Sequence, residues 1–102
     1  MNLEMYSAGA NGCISVTANI VPEFVSKVWD LFSAGKAAEA EALQSNLQKL
    51  NSALFMVTNP IPVKTALSMM KKCREEFRLP LTPMDDNKKR ELESVLSEFK
   101  II

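Results

Sequence analysis

Lys64, Tyr6, Cys13 and Cys73 are the side chains to weigh first for covalent or proton-transfer chemistry, because the sequence has no histidine. That absence removes the Ser-His-Asp triad, the Cys-His pair, the two-His zinc motif and most histidine general-base chemistry. A lysine becomes a nucleophile when burial or a neighbouring cation depresses its pKa. Lys64 opens a helix from the exposed side with no acid or base four residues away, so it reads as structural or solvated. Tyr6, the only tyrosine, reads as a packing residue. Cys13 and Cys73 form no C-x-x-C pair and are expected to be inert, reduced thiols of a cytosolic protein. There is no Gly-rich phosphate loop, EF-hand loop or H-x-E signature. No cofactor and no metal site is expected.

The remaining candidates are surfaces. Met56, Met69 and Met70 could line an adaptable groove, but their helical spacing favours core filling. Lys71-Lys72-Arg74 and Lys88-Lys89-Arg90 adjoin Glu75-Glu76 and Asp85-Asp86, so they read as solvated helix faces. Charges balance at 12 Lys+Arg against 12 Asp+Glu, which argues against a nucleic-acid partner. With 47% apolar and 24% charged residues, the 102-residue chain has an ordinary globular composition and room for one core. No apolar run is long enough to span a membrane, and Met1–Gly9 has no signal-peptide pattern.

The elements that would position these residues are mostly helical. Leu3, Met5 and Tyr6 read as a helix tail ending in a turn at Gly9 and Gly12. Cys13–Thr17 is β-branched and uncharged, the pattern of a strand covered on both faces, yet no other strand exists to pair with it. Pro22 and Gly35 bracket a helix carrying Phe24, Val25, Val28, Leu31 and Phe32. Lys36–Met56 is the clearest helix, with Ala40, Leu43, Leu47, Leu50 and Leu54 in one stripe. Asn59-Pro60-Ile61-Pro62 is expected to be extended, followed by a helix through Val63, Ala66, Leu67 and Met70. Leu79–Pro83 reads as a second extended crossing, with Thr82 capping a last helix that shows Leu92, Val95, Leu96 and Phe99. On that helix Lys89 is expected to pair with Glu93.

Three stretches in order, Gly9–Asn19 (GANGCISVTAN), Asn59–Lys64 (NPIPVK) and Arg78–Pro83 (RLPLTP), resemble the C-terminal part of the dihydrodipicolinate synthase family. This is the 4-hydroxy-tetrahydrodipicolinate synthase branch of the class I aldolases that includes N-acetylneuraminate lyase. The resemblance runs along nearly the whole chain. It implies a lyase of lysine and diaminopimelate biosynthesis, cytoplasmic, condensing pyruvate with aspartate semialdehyde through a lysine Schiff base. It also implies a TIM barrel with a helical C-terminal extension, and a barrel needs about 250 residues.

The implied fold is therefore mainly α: one barrel strand at about 13–17, then a multi-helix extension. Residues 1–35 would be the end of the barrel and residues 36–102 the extension. By the same resemblance the Schiff-base lysine, the proton-relaying tyrosine and threonine, and the arginine for the second substrate precede this stretch. No catalytic residue is then assigned to the chain, which on its own is expected to be inactive. The one residue carried over is Ile14, whose backbone would contribute to the pyruvate pocket at the strand's C-terminal end. Its other reading is a barrel-core side chain. A rival role for the whole chain is a non-catalytic helical interaction or oligomerisation module. In either role, helices that normally pack on a barrel would expose apolar surface, so self-association, most simply as a dimer, is expected.

Overall fold

The computed structural model describes residues 1–102 and contains five α-helices and one short 3-10 turn. They are α1 (Asn2–Ser7), the turn at Thr17–Asn19, α2 (Pro22–Ser33), α3 (Ala37–Ala53), α4 (Ile61–Met69) and α5 (Asp86–Glu98). The chain divides into two compact units, Met1–Gln48 and Lys49–Ile102, and α3 contributes residues to both.

The first unit forms around α2. Pro22 sits in its first turn, where a missing N–H costs nothing. Val25 and Val28 are its buried residues, and both α1 and the 3-10 turn pack on α2. Tyr6, Thr17, Ile20, Val21, Ala40 and Leu47 complete the buried set. The second unit buries Leu50, Ala53, Leu54, Ile61, Val63 and Ala66 with Met84, Leu92, Val95 and Leu96, and α4 packs on α5. Thr65 is also buried there; its hydroxyl donates to the Ile61 carbonyl at 2.9 Å, which satisfies it within the helix.

Four of the helices end in the same way. After α2, the Gly35 amide donates to the Phe32 carbonyl and the Lys36 amide to the Leu31 carbonyl, with Gly35 at φ 74°. This is the Schellman arrangement, which needs a left-handed residue. Gly9 plays that part after α1 at φ 102°. Lysines play it after α4 and α5: Lys71 at φ 59° and Lys100 at φ 56° each donate to the carbonyl three residues back.

The structure corrects several expectations. Cys13–Thr17 is not a strand: residues 11–15 form no regular structure, Val16 lies in a bend and Thr17 opens the 3-10 turn. A strand is held by ladder bonds to neighbours, and this chain has no second strand to supply them. Ile61-Pro62 is not extended but forms the first turn of α4, because the early N–H groups of a helix need no partner. The last helix is capped by Asp85, not Thr82: its carboxylate accepts from the Lys88 amide at 2.9 Å. The clearest helix is shorter than expected, Ala37–Ala53. Met56, Met69 and Met70 are only half-buried, and Met84 fills the core instead.

Candidate functional site

Gly9–Asn19 holds the one residue assigned to a pocket from the sequence. Its start is fixed by the Schellman turn at Gly9, which sends the chain back along α1. Cys13 is then moored by its sulfur, which accepts from the Tyr6 hydroxyl at 3.3 Å and from Asn2 Nδ2 at 3.6 Å. Two residues on, the Ser15 hydroxyl accepts from the Ala18 amide at 3.2 Å, and Asn19 Nδ2 donates to the Val16 carbonyl at 3.0 Å. These bonds tie down both ends of a short open stretch.

Side chains alternate sides along an extended backbone. Cys13 and Ser15 turn toward the chain's own residues, so Ile14 between them points away, with a relative exposure of 108%. No backbone amide or carbonyl from Asn11 to Ile14 finds a hydrogen-bond partner. No charged residue lies between Glu4 and Glu23. The stretch is thus an uncharged, apolar edge with its backbone polar groups open.

Behind it stands Tyr6, 5% exposed, in an aromatic cluster with Trp29 (centroids 4.8 Å apart, edge-on) and Phe32 (5.8 Å). Burial, reinforced by the bond to Cys13, pushes the phenol up to about 12, so it stays protonated at neutral pH. Its hydroxyl donates to the Cys13 sulfur. Gln44 fixes α1 from the other side, accepting from the Leu3 amide at 2.8 Å and donating to Glu4 at 3.3 Å. Sequence reasoning treated Tyr6 and Cys13 separately. Their meeting depends on the turn at Gly9, and only the two flanking glycines hinted at it.

The other candidates lie in the second unit. Lys64 is half-buried with its ammonium 5.5 Å from the Phe77 ring centroid. Cys73 is exposed, and its thiol donates to the Lys64 carbonyl at 3.8 Å. Lys89 pairs with Glu75 at 2.7 Å and not with Glu93. Both partners are mostly covered, at 29% and 25% exposure, where an unpaired charge would cost more than a surface pair returns. Around the start of α5, Asp85–Lys88, Arg90 and Glu91 line a shallow open depression of mixed charge. No three His, Cys, Asp or Glu side chains gather closely enough to hold a metal. No helix is long and apolar enough to cross a membrane.

Residues 1–99 match the dihydrodipicolinate synthetase family. The chain belongs to that family. It is 46% identical over 98 residues to the 4-hydroxy-tetrahydrodipicolinate synthase of Trichlorobacter lovleyi, covering 96% of this chain and 34% of that protein. It is 44% identical over 102 residues to the synthase of Citrifermentans bemidjiense, covering 100% and 35%. The crystal structure of dihydrodipicolinate synthase from Aquifex aeolicus superposes with a TM-score of 0.94 at 39% identity, covering 97% of this chain and 34% of that one. The Acinetobacter baumannii enzyme, solved in complex with pyruvate, superposes at 0.91 with 39% identity, covering 98% and 34%.

The chain therefore spans about a third of the length of the relatives it matches. The all-helical structure corresponds to part of a TIM-barrel family's fold. A dihydrodipicolinate synthase variant aligns over 98% of the chain at a TM-score of 0.94 and 34% identity.

Proposed function

We propose that this chain serves as the C-terminal third of a 4-hydroxy-tetrahydrodipicolinate synthase, the cytoplasmic lyase that condenses pyruvate with aspartate semialdehyde on the way to lysine and diaminopimelate. Residues 1–35 complete the barrel, and residues 36–102 form its helical extension. The observation that carries this reading is Ile14, held outward between the moored Cys13 and Ser15 with its backbone open. In a closed barrel that face turns to the interior, and the C-terminal ends of the strands form the active site. Ile14 then shapes the pyruvate pocket through its backbone, while Tyr6 and Cys13 hold the strand from behind.

The chemistry comes from residues outside this stretch. The lysine that condenses with the pyruvate ketone, releasing water, precedes it by family resemblance. The 102-residue chain alone is accordingly inactive. It self-associates, since Met5, Ile14 and Phe24 leave apolar surface exposed on the first unit. The test joins this chain, in one polypeptide, to the part of the Trichlorobacter lovleyi synthase that lies outside its matched 98 residues. Pyruvate with borohydride should leave the mass of the isolated chain unchanged and add one reduced adduct to the joined protein. An adduct on the isolated chain, at Lys64 above all, would overturn the assignment; so would a folded joined protein that traps nothing.

A further inference from the structure

We propose that Asn11-Gly12 is a site of spontaneous covalent modification, at which the asparagine side-chain amide leaves as ammonia and the segment before Cys13 acquires a carboxylate. The reaction needs only the chain and water, so it does not depend on the function proposed above.

The nucleophile is the main-chain nitrogen of the residue after an asparagine, and the electrophile is that asparagine's own Cγ. Attack requires an amide free of hydrogen bonds and a backbone that can rotate until the two atoms meet. Of the seven asparagines, Asn11 alone meets both requirements. The Gly12 amide has no partner, and no bond holds the Asn11 carboxamide away from it. Both residues are exposed. Gly12 has no Cβ to obstruct the approach, and the space such an atom would fill is open to 4 Å. At the other six positions the following amide is engaged or missing. After Asn2 it donates to Gln44, after Asn19 to the Thr17 carbonyl, and after Asn87 to the Asp85 carboxylate. After Asn46 and Asn51 it lies inside α3, where each amide donates to the carbonyl four residues back. Asn59 is followed by Pro60, which has no N–H.

The step balances without an oxidant or a reductant. The Gly12 nitrogen bonds to Asn11 Cγ, and its proton leaves with the Nδ2 group as ammonia. The resulting cyclic imide then takes up one water. Opening at Cγ gives aspartate. Opening at the original peptide carbonyl gives isoaspartate, whose main chain runs through Cγ and is one carbon longer. Either product places a negative charge in a stretch that has none between Glu4 and Glu23. The longer product also changes the span from the Gly9 turn to Cys13, whose sulfur the Tyr6 hydroxyl holds at 3.3 Å. The modification therefore falls on the approach to Ile14.

The test holds the purified, folded chain in warm, mildly alkaline buffer, which favours the deprotonated amide, and follows its peptides by mass spectrometry. The peptide containing Asn11 should gain about 1 Da as the amide becomes an acid, and should resolve into two isomers. Peptides containing the other asparagines should keep their masses. On anion exchange the intact protein should split into two charge forms, the later-eluting one growing with time. In urea the Asn11 peptide should convert within about threefold of its folded rate, because the fold already leaves this amide free. Gly12→Ala should slow the conversion by at least about tenfold, since its Cβ hinders ring closure, and should leave the helical circular dichroism unchanged. If Gly12→Ala loses its helices, the same slowing is required of it against the parent in urea, where folding plays no part. An Asn11 that keeps its mass in the folded protein while converting in urea would overturn the proposal, by showing that the fold protects it. Conversion of another asparagine ahead of Asn11, or an undiminished rate in Gly12→Ala, would overturn it as well.

Discussion

Cys13–Thr17 and Ile61–Met69 make an instructive pair. Both are short and apolar, and each looks from its composition like the wrong kind of segment for what it becomes. Ile61–Met69 carries a proline in its first turn and another at its cap, yet it folds into α4 and buries Ile61, Pro62, Val63, Thr65 and Ala66. Cys13–Thr17 has the residues of a buried strand, yet it leaves Ile14 in water. The difference is where the hydrogen bonds come from. A helix closes its own i to i−4 bonds, and prolines placed where no donor is required cost little. A strand borrows every ladder bond from a neighbour. The first segment closes its hydrogen bonds within the chain, and the second begins with backbone groups at Cys13 and Ile14 that find no partner in it.

Core truncation should separate the two segments most sharply. Leu96→Ala and Leu92→Ala, both at fully buried sites of α5, should each cost about 2–5 kcal/mol in urea unfolding. Ile14→Ala in the isolated chain should fall within about 0.5 kcal/mol of the parent. In the single-chain fusion it should cost clearly more, since there the side chain leaves water. A large cost for Ile14→Ala in the isolated chain would mean that the segment already packs somewhere.

Tyr6→Phe tests the mooring of that segment and should cost about 1 kcal/mol through the lost bond to Cys13. It should also change the alkaline limb of stability. The folded state raises the Tyr6 phenol from its ordinary value near 10 to about 12. Its contribution is therefore complete below pH 10 and is lost as the pH rises toward 12. Denaturation followed across that window should show the decline in the parent and a shallower one in Tyr6→Phe.

Legibility in the sequence followed the same divide. Pro22, Gly35 and the leucine stripe of α3 could be read because each acts within its own helix. Pro62 was misread, since a proline in a first helical turn and one in an extended run look alike until the following turns are seen. Thr82 and Asp85 are both competent caps, and where the helix begins decides between them. For Cys13–Thr17 the composition pointed to a strand that the structure does not form, because ladder neighbours are not a property of five residues. Glu75 and Lys89, and Tyr6 and Cys13, were out of reach because loops bring them together.

Smaller effects belong to the helix ends. Asp85→Ala should destabilise the second unit by about 1 kcal/mol, by removing the carboxylate that accepts from Lys88. Lys71→Gly should stabilise it by about 0.5–1 kcal/mol, because a residue with a Cβ sits there in the left-handed region. Thermal unfolding of the two variants beside the parent checks both signs.

Amide exchange at Ile14, compared with Ala66 and Leu92 in dilute isolated protein and again in the single-chain fusion, tests the central claim most directly. We predict that Ile14 exchanges near the unstructured rate in the isolated chain, while Ala66 and Leu92, in α4 and α5, are strongly protected. In the fusion Ile14 should join the protected group. Protection of Ile14 in the dilute isolated chain, or its continued fast exchange in a folded fusion, would contradict the view that this segment is a strand waiting for its neighbours.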